Sequence, residues 1–218
     1  RHLILPDGGE QSYAQTWERA RRIARALTDA GVARGERVLL LAGNSRELIE
    51  LYIACSHAGA ICVPVNTLST ARELLGIAAD CAPAALFVQH QYLDRIAAAF
   101  PLRAMKLAVV TEGNAAGFTA YDDLAAAAGP LVEPVSADAE DPCVMIYSSG
   151  TTGRPKGILL RERGVIENAR MSNLVMRYQA GDVALTMLPL FSSFGFCWDF
   201  LMPALAGSAT AILPRFDP

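Results

Sequence analysis

The sequence predicts an α/β fold of largely parallel sheets with helices on both faces. Three observations lead there. Short, almost wholly apolar runs recur along the chain, as in strands covered on both sides. Between them stand stripes of apolar residues stepping by three and four, the helical period. The first of these stripes open on a capping residue and close on glycine. Such alternation of strand and helix is the mark of βαβ units.

Ser12, with Gln15 three residues on, reads as a capping box. Behind it Tyr13, Trp17, Ala20, Ala24 and Leu27 form one stripe, ended by Gly31. Residues 37–42 (RVLLLA) read as a buried strand. Ser45 caps a second helix, which carries Leu48, Leu51, Tyr52 and Cys55 on one side and stops at Gly59. Residues 61–64 (ICVP) are the next buried strand. Thr70 and Glu73 form a second capping box and open a helix to about residue 79. Residues 85–88 and 107–110 read as strands, with a helix over 93–99 between them. From 111 to 142 the pattern loosens. A Gly-Asn stretch, the alanine run 125–128 and Pro130, Pro134 and Pro142 predict a loop, a short helix and an irregular connector between sub-lobes. Alternation then resumes: strands at 143–147 and 157–160, a helix over 163–177, a strand at 183–188, a helical stretch over 194–206 and a strand at 210–213.

Composition excludes several classes. The 218 residues are 52% hydrophobic and 19% charged, a globular rather than a disordered balance, and enough for a sizeable core. Net charge is −3 with both signs spread along the chain, so no basic stripe points to nucleic acid or to an anionic membrane. No apolar run reaches the roughly 18 residues of a membrane span. Cys55, Cys62, Cys81, Cys143 and Cys197 are odd in number and lack CxxC spacing, which reads as reduced thiols in a cytoplasmic protein. His2, His57 and His90 stand far apart and predict no zinc site. The first six residues are too short for a signal peptide and lack a methionine, so a trimmed start is expected.

Residues 147–157 (YSSGTTGRPKG) carry the chemistry. Ser148, Ser149, Thr151 and Thr152 are interleaved with Gly150 and Gly153. Glycine lets a ligand approach the main chain, and successive exposed amides form an anion-binding concavity. Hydroxyls add donors without bulk, and Lys156 adds a mobile point charge suited to polyphosphate. Between 142 and 161 there is no acid, only Arg154, Lys156 and Arg161; Asp138, Glu140 and Asp141 crowd just upstream. The segment is not a Walker loop, because Pro155 stands where GxxxxGK[ST] needs its second glycine, and it is not GxGxxG. From the residues alone it is a phosphate loop or an ordinary solvated turn.

The eleven residues from Tyr147 to Gly157 closely resemble the phosphate-loop signature of the adenylate-forming superfamily: acyl-CoA synthetases, adenylation domains of nonribosomal peptide synthetases, and luciferases. Other segments are similar to that family too. They are Gly31-Val32 with Gly35-Glu36-Arg37-Val38, Asn44-Ser45, the run from Gly59 to Asn66, the run from Leu188 to Gly195, and Phe216-Asp217-Pro218. The resemblance covers essentially the whole chain. It implies that residues 1–218 are an incomplete part of a large N-terminal ATP- and acyl-binding domain, with the C-terminal domain absent. It implies that a carboxylic acid is activated by ATP to an acyl-adenylate, with pyrophosphate released, and that the acyl group then passes to CoA. Catalysis of that kind is mostly positioning and electrostatic stabilisation.

By resemblance, Ser148, Ser149, Gly150, Thr151, Thr152 and Gly153 hold the β- and γ-phosphates. Lys156 helps to neutralise them, Lys156 and Thr152 are the catalytic candidates, and Thr152 is the candidate Mg²⁺ contact. Phe191, Ser192, Phe194, Gly195 and Phe196 are implied to sit by the acyl and thiol-acceptor pockets, with plain core packing the alternative for Phe194 and Phe196. Ser192 departs from the histidine many relatives carry there; serine takes no positive charge and leaves more room. Arg161-Glu162-Arg163 replaces a Thr-His pair common in the family, so Arg163 and Asn168 read as helix-surface residues. The adenine- and ribose-binding segments and the catalytic lysine of relatives come later than residue 218, so the chain alone is expected to be inactive. Two alternatives accompany this reading: an adenylation unit that loads a carrier protein, and a non-catalytic binding module that kept the fold.

Overall fold

Hydroxyl side chains set the starts of three helices in the computed structural model, which describes residues 1–97, 102–131, 133–135, 138–148 and 155–214. Ser12 accepts from the Gln15 amide while Gln15 bonds back to the Ser12 amide, so α1 (Tyr13–Asp29) begins on a capping box. Ser45 accepts from the Leu48 amide at the head of α2 (Arg46–His57). Thr70 and Glu73 close the second box ahead of α3 (Ala71–Cys81). Gly31 and Gly59 follow α1 and α2 at φ +82° and +68°, where a side chain would be strained.

The chain opens on two strands of two residues each, β1 (Leu3–Ile4) and β2 (Glu10–Gln11), an antiparallel pair. Sequence periodicity cannot register elements so short. The main sheet follows. Its strands are β3 (Arg37–Leu41), β4 (Ile61–Pro64), β5 (Ala85–Val88), β6 (Leu107–Val110), β7 (Thr119–Ala120), β8 (Pro142–Ser148) and β9 (Lys156–Arg161), in the order β7-β6-β5-β3-β4-β8-β9. Every neighbouring pair is parallel except β8 with β9. That exception has a simple cause. A parallel crossover needs a dozen or more residues, and only residues 149–155 join the two strands.

Helices lie on both faces, as expected. Val38 and Leu40 point into one core layer with α1 and α2; Leu39 and Leu41 point into the other with Leu74, Ile77 and Cys81 of α3. Each such side chain, fully buried, contributes about 1.5–3 kcal/mol. Between β5 and β6 runs α4 (Leu93–Ala97). The expected continuation of that helix to residue 99 lies outside the described residues. The loosely patterned stretch contains β7 and α5 (Tyr121–Ala127), a helix that starts four residues ahead of the alanine run at 125–128. Its connector lies on the helices, with the Leu131 amide donating to Arg21 O and the Val135 amide to His57 O.

After β9 comes α6 (Glu162–Met176), then β10 (Val183–Leu185). Residues Gly195–Leu201 form a π-helical stretch, continued by α7 (Met202–Leu205), and β11 (Ala209–Ala211) follows. A single α-helix was expected over 194–206. The small sheet has the order β10-β11-β1-β2, with β1 parallel to β11. All five cysteines are free and buried.

Candidate functional site

The hydroxyl- and glycine-rich segment is the turn of the β8–β9 hairpin. Its register pairs Tyr147 with Gly157 and Ser148 with Lys156, so Ser148 and Lys156 face each other as the last rung before the loop. Both are exposed. Ser149, Gly150, Thr151, Thr152 and Gly153, with Arg154, lie outside the described residues. Directly paired residues project to the same face of a sheet, so Ser148 and Lys156 point one way and Tyr147 the other. A Cβ on Gly157 would stand 2.9 Å from Met145 Sδ and 3.1 Å from Tyr147 Cζ. Glycine at 157 therefore leaves room for those two side chains to lie across β9. The Tyr147 hydroxyl donates to Asp80 Oδ2 at 2.5 Å. Burial, and then that hydrogen bond, push the tyrosine pKa upward.

Arg161, one of the three bases between 142 and 161, does not stand at the loop. It pairs in register with Pro142, at the opposite end of the hairpin, and its guanidinium contacts Glu140 at 2.8 Å. Glu140 also contacts Arg163 at 3.0 Å. One upstream acid, Glu140, is thus shared between these two bases. Arg163 and Asn168 are exposed on α6, as expected of helix-surface residues.

The segment from Leu188 to Gly195 is fixed from several sides. Asn44 Nδ2 lies 3.0 Å from Leu188 O, 3.2 Å from Leu213 O and 3.3 Å from Thr186 O, while its Oδ1 accepts from the Leu190 amide at 2.8 Å. Tyr52, buried in α2, donates to Leu190 O at 2.7 Å. Asp199 accepts from the Leu188 amide, and burial raises its pKa. Gly195 sits so close to the preceding turn that a Cβ would be 2.2 Å from Pro189 O. Ser192 uses both halves of its hydroxyl here, donating to Pro189 O at 2.7 Å and accepting from the Gly195 amide at 3.1 Å. It caps the turn.

Phe194 and Phe196 open onto different clefts. Phe196 is buried, packs on Tyr52 at a centroid distance of 4.3 Å, and lines a cleft of about 590 Å³ with Ile53, His57, Val144 and Glu162. Phe194 is 60% exposed, meets Trp198 at 5.6 Å, and lines a cleft of about 490 Å³ with Asn168, Ser172 and Cys197. Two residues apart on a helical segment point to opposite sides, which separates them. Phe196 thus packs in the core and also borders a cleft, whereas Phe194 borders a cleft from the surface.

Against known proteins, the family model described as "AMP-binding enzyme" matches residues 1–218. The chain belongs to the AMP-binding enzyme family. It is 35% identical over 208 residues to an indoleacetate–CoA ligase of Aromatoleum aromaticum, covering 94% of this chain and 41% of the relative. It is 32% identical to the fatty acid–[acyl-carrier-protein] ligase ScoC of Streptomyces coeruleorubidus, covering 89% of this chain and 37% of the relative. Its fold matches the ATP-bound crystal structure of MatB from Rhodopseudomonas palustris with a TM-score of 0.89 at 28% identity, over 100% of this chain and 42% of that one. The chain spans about two fifths of the length of the curated relatives it matches.

The chain also holds a charge network that the sequence did not reveal. Glu50 is fully buried; it accepts from Arg19 Nε at 2.9 Å, Gln11 Nε2 at 2.8 Å and the Tyr121 hydroxyl at 2.8 Å. Burial raises its pKa against the pull of Arg19. Arg19 and Arg46 both reach Asp122 as well. These residues come from β2, α1, α2 and α5, and only the fold brings them together. Every acceptor direction on Glu50 is directed inward to a protein group, so the network holds elements in place. Among the described residues, no group of three or more His, Cys, Asp or Glu side chains is placed to hold a metal ion. No helix among them is long and apolar enough to cross a membrane.

Proposed function

We propose that residues 1–218 form the front part of the nucleotide- and acid-binding domain of an ATP-dependent, AMP-forming acid–thiol ligase that works in the cytoplasm. The observation that carries this reading is the hairpin mouth. Ser148 and Lys156 flank a segment of hydroxyls and glycines at the end of a sheet whose central strands β3, β4 and β5 are buried. The reaction makes a bond between a carboxylate oxygen and the α-phosphorus and breaks the bond to pyrophosphate. A thiol sulfur then attacks the acyl carbon, and AMP leaves. Both halves of the first step crowd negative charge, so amides, hydroxyls and a lysine aimed at the β- and γ-phosphates favour it. Ser148, Ser149, Gly150, Thr151, Thr152 and Gly153 are assigned to the phosphates and Lys156 to their charge. Lys156 and Thr152 are the catalytic assignments. Mg²⁺ would supply charge neutralisation on the phosphates, with Thr152 its assigned contact.

Phe191, Ser192, Phe194, Gly195 and Phe196 are assigned to the acid end. The exposed Phe194 and Trp198 favour an acid with an apolar body. Ser192, occupied by its own turn, is assigned to shaping that end rather than to proton transfer. Likeness to CoA ligases supports CoA as the acyl acceptor, and likeness to a carrier-protein ligase supports the second reading, a carrier protein in that role. Exchange of labelled pyrophosphate into ATP by the full protein, run across a panel of carboxylic acids, tests the reading. Acid-dependent exchange is expected. A folded protein that exchanges with none of them favours the non-catalytic binding module. Adding CoA or a carrier protein to the active acid then separates the two acceptors.

A further inference from the structure

Among the described residues β9 is the outer strand of the main sheet, with β8 its one neighbour there. An edge strand is hydrogen-bonded along one side only, so side-chain contacts add to what its ladder fixes. At the far end of the hairpin such a contact is that of Glu140 with Arg161 and Arg163. At the near end, one rung from Ser148 and Lys156, it is that of Tyr147. Its ring lies over Gly157, where no Cβ stands in the way. Its hydroxyl reaches Asp80 Oδ2 at 2.5 Å, in the last turn of α3. A hydroxyl donating to a carboxylate at 2.5–2.7 Å is a charge-assisted bond, about twice as strong as a neutral one. A tyrosine hydroxyl is protonated at neutral pH and can donate.

We propose that Tyr147 and Asp80 form a latch that sets the position of Ser148 and Lys156, and so tunes the hold of these two residues on a polyphosphate. The latch rests on the function proposed above. Tyr147 is a positioning residue: its side chain lies on the face of the hairpin away from Ser148 and Lys156 and acts on them through the backbone.

The test uses the full protein, with MgATP as the probe and backbone amide exchange as a second readout. Tyr147→Phe keeps the ring over Gly157 and removes only the hydroxyl. Amides of residues 147, 148, 156 and 157 should then exchange on the order of tenfold faster, with α1 and α2 unchanged. MgATP affinity should weaken by about three- to tenfold, with the thermal midpoint close to wild type. Asp80→Asn, which keeps an acceptor, should recover part of the loss seen in Asp80→Ala. A wild-type protein that binds no MgATP sinks the reading of function, whereas a wild type that binds while Tyr147→Phe leaves mouth exchange unchanged sinks the latch alone. Faster exchange with undiminished MgATP affinity overturns the positioning role.

Discussion

Gly195→Ala tests how tightly the turn before the π-helical stretch is built. An added Cβ would stand 2.2 Å from Pro189 O, 2.6 Å from Pro189 C and 2.9 Å from Leu190 N. All three are backbone atoms, so no side chain can swing aside. Ordinary carbon contacts fall at about 3.5–4.0 Å, so the two segments must part by about 1 Å or more. That movement pulls on the bonds holding Pro189 and Leu190: Asn44 Oδ1 to the Leu190 amide, Tyr52 to Leu190 O, and Ser192 to Pro189 O. Overpacking costs about 1–3 kcal/mol. Losing one or two of those hydrogen bonds adds about 0.5–1.5 kcal/mol each. The expected loss is therefore about 1.5–6 kcal/mol. Urea unfolding followed by the fluorescence of Trp17 and Trp198 measures it as a lower midpoint at unchanged slope. Gly164→Ala is the control. It lies in α6 with nothing within 4 Å of its added Cβ, and should be neutral or stabilising by up to about 1 kcal/mol. A Gly195→Ala protein within about 0.5 kcal/mol of wild type would refute the packing argument.

Three further outcomes follow from other sites. Glu50→Ala removes the shared acceptor of Arg19, Gln11 and Tyr121, and should cost about 3–5 kcal/mol in chemical denaturation, because buried donors are left unpaired. His2 is buried against Tyr13 at 4.1 Å with neither ring nitrogen hydrogen-bonded; burial, then the nearby N-terminal charge, lower its pKa from 6.5 to about 4. Unfolding lets the imidazole take up a proton, so stability is complete above pH 6.5 and drains away as pH falls toward about 4, by on the order of 3 kcal/mol. His2→Phe should flatten that segment of a stability–pH curve, and an unchanged slope would assign the acid sensitivity elsewhere. Lys156→Ala, exposed at the hairpin mouth, should weaken MgATP binding in calorimetry while shifting the unfolding midpoint by less than about 0.5 kcal/mol. Unfolding without a change in nucleotide affinity would make the lysine structural.

Much of the fold could be read from local chemistry. Ser12 with Gln15, and Thr70 with Glu73, form capping boxes because the bonds span three residues and need nothing from the rest of the chain. Strands β3, β4 and β5 were visible because burial on both faces leaves an unbroken apolar run. What stayed hidden depends on partners far along the chain. β1 and β2 are two-residue strands that pair with each other, and β1 joins the rest of the small sheet only through β11, far along the chain. Glu50 looked like any helical acid until β2, α1 and α5 closed over it. Arg161 looked like a loop base because linear distance says nothing of hairpin register. At the candidate site, sequence named Ser148 and Lys156 but not that they face each other. Tyr147 was legible only as the first residue of a pattern, since its partner Asp80 lies on α3.

The small sheet places Leu3 beside Thr210 and Ile4 beside Ala211. During synthesis β1 can pair with β2 early, but its other edge must wait until β11 has left the ribosome. Pairings between such distant segments form late and slowly. A helper that shields hydrophobic nascent chain would find a target at Leu3-Ile4-Leu5, and slowed translation near β11 would lengthen that exposure.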